Sequence, residues 1–161
     1  MAHWLLHFTG TRPMSFHIKS GGVKGMADRR LVVIVILTAL LSLGHTADHI
    51  CRGDVRFSLT IESVLTIIFN VAIYAAIGIG LYLYLKRRIG PLFWAFFAGA
   101  GLGALWLGHL SPFTDQPPQY ILRAYDSAAA GWLALACLFA LALALIAGAL
   151  YAEYLWARAP R

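Results

Sequence analysis

The sequence predicts an all-α membrane protein, a four-transmembrane-helix bundle with both termini on the cytoplasmic side (N-in/C-in). Three observations lead there. The 161 residues are 60% hydrophobic and only 12% charged, outside the range of soluble globular domains. Four apolar runs, at 31–50, 61–85, 91–110 and 128–156, each reach the roughly 20 residues that a helix needs to cross a hydrocarbon layer of about 30 Å. Ten of the thirteen Lys and Arg residues fall on the N-terminal side of that threading, as the positive-inside rule requires. Unpaired backbone groups have no water to bond in a bilayer, so the runs are helices rather than strands.

Residues 1–30 read as a disordered basic cytoplasmic tail, with Thr11-Arg12-Pro13 and Ser20-Gly21-Gly22 breaking any helical period. Met26-Ala27-Asp28-Arg29-Arg30 is a compact basic lead-in. Met26 is therefore an alternative start, which would remove His3, His7 and His17. Arg29-Arg30 and the apolar 31–43 also resemble the front of a secretory signal. His45-Thr46-Ala47 is a poor cleavage site, however, and the chain soon re-enters the membrane, so the first segment is expected to stay.

The first segment ends in the most informative stretch, Gly44-His45-Thr46-Ala47-Asp48-His49-Ile50-Cys51-Arg52-Gly53-Asp54. On a helix His45, Asp48, His49 and Arg52 fall at about 0°, −60°, +40° and −20°, one narrow face. Ionisable groups at the margin of a membrane segment are unfavourable without partners or a purpose. Arg52-Gly53-Asp54 matches an adhesion tripeptide with nothing else to support adhesion. Gly53 reads instead as the helix breaker before a short outer loop.

Thr60 is the expected N-cap of the second segment, with Glu62 in its first turn. Glu62, Thr66 and Asn70 then recur every four residues, with Ser63 and Tyr74 beside them. Lipid is a poor environment for that seam, so it should face the bundle. The short Lys86-Arg87-Arg88 turn makes segments two and three antiparallel neighbours.

The third segment closes with Gly108-His109-Leu110-Ser111-Pro112, which brings His109 to the same outer end as His45 and His49. The connection 111–125 is long for so small a bundle, and long loops are often functional. Its 119–122 stretch is expected to fold over the histidines, with Asp115 and Arg123 pairing with Arg52 and Asp54. Small residues run along the fourth segment (Ala136, Ala140, Ala144, Gly148) and the third (Ala95, Gly99, Gly103), the expected packing faces. The same faces would serve a homo-oligomer or a partner in a membrane complex. Trp94, Trp106, Trp132, Tyr151, Tyr154 and Trp156 fall near expected interfaces, where amphipathic rings anchor. Residues 31–156 thus form one transmembrane domain, and 157–161 a cytoplasmic tail.

Cys51 and Cys137 have different depths and no Cys-x-x-Cys spacing, so neither a disulfide nor a redox pair is expected. The net charge of +6 reads as topology and contact with anionic lipid, the bilayer being the expected partner, and not as nucleic-acid binding. The orientation suits a multi-pass protein of a bacterial-type cytoplasmic (inner) membrane.

Two histidines at i, i+4 can share a metal, and His109 from another helix would complete a three-histidine site. Asp48 or Glu62 would be a fourth ligand or would hold an imidazole from behind. Zinc suits such a donor set. His-x-x-x-His by itself is weak evidence, because Thr46 stands where a zinc protease carries its Glu. The leading expectation is that His45, Asp48, His49, Arg52, Asp54 and Glu62 satisfy one another as a polar plug, with Thr66 and Asn70 continuing it inward. Three functional classes follow: a non-enzymatic structural or accessory membrane component, a metal-binding membrane protein with or without catalytic activity, and a small transporter subunit.

Overall fold

The computed structural model describes residues 27–55 and 60–159. The helices are α1 (Arg29–Cys51), α2 (Ile61–Leu85), α3 (Pro91–Leu105), the short α4 (Pro118–Arg123) and α5 (Ala128–Ala157). A single π-helical turn, Trp106–Leu110, prolongs α3. There is no strand among the described residues. Four helices, counting α3 with its π turn, are long and apolar enough to cross a membrane, as a multi-pass membrane protein requires.

Local chemistry sets the helix ends. The Asp28 carboxylate accepts the amides of Arg30 and Leu31 at 2.9 and 3.0 Å, capping α1. Thr60 Oγ1 accepts the Ser63 amide at the start of α2, and Pro91 opens α3 at a position where no amide hydrogen is needed. At the end of α1, Gly53 has φ +76°. The amides of Asp54 and Gly53 return to the carbonyls of His49 and Ile50 at 2.9 and 3.0 Å, a Schellman turn. Arg87, φ 58°, makes the equivalent turn after α2.

Helix α5 is the axis of the bundle, flanked by α1 and α3. Toward the end that carries the π turn, Leu105, Ile121, Leu135, Leu138, Leu141 and Leu145 form one apolar core. Toward the other end Leu31, Val35, Tyr84, Trp94, Ala95 and Ala152 form a second.

Several expectations on packing need correction. The buried face of α5 runs through Gly131, Leu135, Leu138, Leu141, Ala142, Ala144, Leu145, Gly148 and Ala152; of the expected stripe Ala144 and Gly148 are buried, Ala140 is half-buried and Ala136 is exposed. On α3, Gly99 and Gly103 are exposed, with nothing within 4 Å of a Cβ at either. Small residues and leucines share the contact: Ala95, Ala98, Ala144 and Gly148 are buried beside Leu105, Leu138, Leu141 and Leu145, so the packing faces follow neither strict four-residue stripe to its end. Trp94 is 3% exposed, a core residue rather than an interface anchor. Helices α2 and α3 meet near their turn, where Gly80 lies against Phe93 and Trp94. Beyond it α2 leans on α1, and its only buried described residues are Gly80 and Tyr84.

The polar seam of α2 does turn toward α1. Thr46 Oγ1 donates to Asn70 Oδ1 at 3.3 Å and lies 3.0 Å from the Tyr74 hydroxyl, which also meets Ser42 at 3.4 Å. Asn70 Nδ2 donates to the Thr66 carbonyl at 2.9 Å. The side chain of Glu62 lies outside the described residues, as do residues 1–26.

Candidate metal centre

Three helical features bring the histidines together. His45 and His49 share one face of α1, a turn apart. His109 sits in the π turn, where the Ser111 amide reaches back five residues to the Trp106 carbonyl at 2.7 Å. A π turn widens the helix by one residue and re-aims the side chain it carries, which is why such turns gather at functional sites. It leaves His109 only 4% exposed. The imidazole centroids of His45, His49 and His109 lie 4.6, 4.8 and 5.2 Å apart. One ring nitrogen from each falls within 4.8 Å of the others.

The hydrogen bonds assign the protons. His109 Nδ1 lies 3.1 Å from the Gln116 carbonyl oxygen. A carbonyl only accepts, so Nδ1 carries the hydrogen and Nε2 keeps its lone pair. His49 Nδ1 lies 3.2 Å from Asp54 Oδ2 and 3.2 Å from Arg52 Nη2. One nitrogen cannot both donate to the carboxylate and accept from the guanidinium. Arg52 Nη2 is closer to Asp48 Oδ2, at 2.9 Å, so the His49 hydrogen goes to Asp54 and its Nε2 is bare.

As a neutral ring, His45 is then left without a good arrangement. Its Nε2 faces His49 Nε2 at 3.3 Å, and its buried Nδ1 has no hydrogen-bond partner, with Asp48 Oδ2 4.0 Å away. A proton on Nε2 serves His49 but turns a bare Nδ1 toward a carboxylate. A proton on Nδ1 sets two lone pairs face to face. A cation between the Nε2 atoms removes the conflict. Two nitrogens about 2.0–2.1 Å from a tetrahedral zinc ion stand about 3.3 Å apart, which is the separation present.

Behind the imidazoles lies a charge knot. The fully buried Arg52 side chain pairs with Asp48 Oδ2 at 2.9 Å and Asp54 Oδ2 at 2.6 Å. Each aspartate also receives a tyrosine hydroxyl: Tyr125 to Asp48 Oδ1 at 2.5 Å and Tyr120 to Asp54 Oδ1 at 2.8 Å. The Arg52 guanidinium lies 5.5 Å from the Tyr120 ring centroid. The Schellman turn at Gly53 is what folds Asp54 back into this knot. Two carboxylates against one guanidinium leave the cluster one negative charge with its imidazoles neutral, an environment that favours a cation.

The segment after α3 closes the outer end. Thr114 Oγ1 bonds the Gly108 carbonyl and accepts the Gln116 amide, which fixes the carbonyl that holds His109. Helix α4 seats on α5 through the fully buried Ile121. A Cβ on Gly131 would lie 3.0 Å from the Leu122 carbonyl oxygen, so α5 presents bare backbone there. The hydrogen bond to Asp54 raises the Tyr120 phenol above its usual range. Burial, and then the bond to Asp48, push Tyr125 up to about 12.

The expected gathering of His45, His49 and His109, with Asp48, Arg52 and Asp54 beside them, is what the structure contains. Thr66 and Asn70 sit farther along the α1–α2 seam. Asp115 and Arg123 do not make the expected pairs with Arg52 and Asp54, since the aspartates and arginine bind one another and the two tyrosines. Tyr120, within the 119–122 stretch expected over the histidines, does reach the cluster through Asp54, whereas Tyr125 and the Gln116 carbonyl are site groups that sequence reasoning missed. Their one signal was position, in a loop too long for a mere connection. Cys51 and Cys137 are free thiols. No family model, curated protein or solved structure matches this chain.

Proposed function

We propose that this chain is an integral membrane metal-binding protein whose three-histidine site holds one divalent transition-metal ion, zinc by donor type. The observation that carries the reading is the Nε2–Nε2 approach of His45 and His49, with His109 held by the Gln116 carbonyl in the tautomer that leaves Nε2 free to bind. Asp54, and more distantly Asp48, stand behind the imidazoles, as carboxylates do when they orient metal-ligating histidines. Three protein ligands leave a fourth position for water or substrate, the pattern of catalytic rather than structural zinc.

In the same reading the four long helices span a bacterial-type inner membrane with both termini cytoplasmic. The metal centre then lies at the extracytoplasmic end. The distribution of basic residues supports this orientation.

Titrating zinc into chelator-stripped protein in detergent tests the site. One equivalent should bind to the parent and none tightly to His109→Ala, with helical circular dichroism unchanged. Equal binding by both would sink the proposal. The Asp48–Arg52–Asp54 knot supports a second reading, an accessory membrane component in which the cluster serves stability and recognition without metal.

A further inference from the structure

The opposite end of the bundle carries a second polar constellation that the metal centre does not use. A cleft of about 500 Å³ lies where α1 begins and α5 ends, lined by Asp28, Arg30, Tyr151, Tyr154, Leu155 and Arg158. Its one acid is already engaged. Asp28 Oδ1 accepts the amides of Arg30 and Leu31 and the Tyr151 hydroxyl at 3.2 Å. The two guanidiniums are not. Among the described residues every ion pair lies at the metal end, and neither Arg30 nor Arg158 belongs to one.

The cleft is nevertheless ordered. Arg158 lies 4.5 Å from the centroid of the Tyr154 ring, and that ring stacks on Tyr151 at 6.0 Å. A cation over a π face keeps its N–H groups pointed outward for another partner. Leu155, packed on the inner apolar core, supplies an apolar wall beside the charges.

We infer that this cleft binds a phosphate-bearing anion, and that its source is the headgroup of an anionic phospholipid. Guanidinium forks match phosphate oxygens, and Arg30 and Arg158 both line this cleft, two positive charges against the single carboxylate of Asp28. The volume exceeds one phosphate and admits the glycerol attached to it. A lipid source follows from location, and so rests on the membrane placement proposed above. The cleft sits where two spanning helices leave the apolar zone, at headgroup level, with tyrosines suited to that layer. A free phosphate would need neither the apolar wall nor that depth.

The test is lipid retention by the full-length protein, measured by native mass spectrometry after reconstitution into equal mixtures of phosphatidylglycerol and phosphatidylcholine. Phosphatidylglycerol should be retained one-to-one. The variants Arg30→Gln and Arg158→Gln should each weaken retention by about tenfold, the scale of one charge-assisted hydrogen bond. Arg158→Lys keeps the charge but loses the fork, and should weaken it by less. Lys86→Gln makes the same charge change outside the cleft, over the Tyr82 ring, and should leave retention unchanged.

An equal loss in Lys86→Gln would mean diffuse surface attraction and overturn the site, as would equal retention of the two lipids. Displacement of the lipid by millimolar inorganic phosphate would assign the cleft to a soluble anion and overturn the lipid source. Resistance to alkaline extraction of membranes scores insertion separately, so failure of lipid selectivity is distinguishable from failure of the membrane placement.

Discussion

His45 and His49 oppose each other through their Nε2 atoms at 3.3 Å, one helical turn apart on α1. Two neutral imidazoles satisfy that geometry only when one of them carries its hydrogen on Nε2. His49 directs its hydrogen from Nδ1 to Asp54, and His45 can put one on Nε2 only by leaving Nδ1 bare beside Asp48. The proposed metal site rests on that conflict, and the neighbouring residues sustain the geometry in ways that can be tested one at a time.

Gly53 is the first. Its positive φ is strained for any residue with a Cβ, at roughly 1–2 kcal/mol, although nothing lies within 4 Å of that position. Gly53→Ala should lower thermal stability in detergent by about 1 kcal/mol and weaken zinc affinity, because the Schellman turn carries Asp54 to His49. Gly53→Asn, which tolerates the left-handed region, should recover most of both. An alanine variant with unchanged zinc affinity would show that Asp54 does not orient His49.

Tyr125 links α5's approach to the cluster through a 2.5 Å bond to Asp48. Tyr125→Phe should cost about 1.5–3 kcal/mol, as for other hydrogen bonds to charged groups. The pH dependence has a definite sign. The folded phenol holds its proton to about 12, above the unfolded value near 10, so its contribution is fully present below pH 10 and is lost as the pH rises through 12. Thermal melts between pH 9 and 12 should fall more steeply for the parent than for Tyr125→Phe. Parallel curves would remove Tyr125 from the alkaline transition.

Tyr74 anchors the loosely packed α2 through contacts with Thr46 and Ser42. Interhelical hydrogen bonds in membranes average about 0.6 kcal/mol, so Tyr74→Phe should destabilise by about 1 kcal/mol. It should also increase hydrogen exchange in α2 more than in α5. Uniform exchange across both helices would contradict the peripheral position of α2.

How far the sequence foretold this structure depends on which residues carried the signal. The apolar runs marked all four long helices, because each holds at most one Asp, Glu, Lys or Arg and leaves the backbone few alternatives. The α1 face was equally legible, since His45, Asp48, His49 and Arg52 are related by helical geometry alone. His109 was placed at the right end by threading, but its inward aim depends on the π turn, and a hydrogen-bond shift of one residue leaves no periodic trace. The tyrosine partners were hidden for a related reason: which of Asp115, Tyr120, Arg123 and Tyr125 reaches the cluster depends on how α4 seats against Gly131. Small-residue spacing found Ala95, Ala144 and Gly148 but misled on Gly99, Gly103 and Ala136, because leucine ridges also interlock closely and shift the buried face off a strict four-residue stripe.

Orientation has its own test. Reporter fusions after Arg88 and Arg161 should behave as cytoplasmic, and one after Pro118 as exported. An exported signal at Arg161 would require an odd number of crossings and would move the tail away from the N-terminal side.

Metal content of the full-length protein, purified without a histidine tag and measured by elemental analysis, bears most directly on the central claim. The expected result is close to one equivalent of a single transition metal in the parent, lost in each of His45→Ala, His49→Ala and His109→Ala, and falling as the buffer is acidified, because only neutral imidazole coordinates. The His109 variant is the sharpest of the three, since it alone asks whether α1 and the π turn share one ion. A parent that carries no metal and takes up none, or a site that survives His109→Ala intact, would contradict the three-histidine centre.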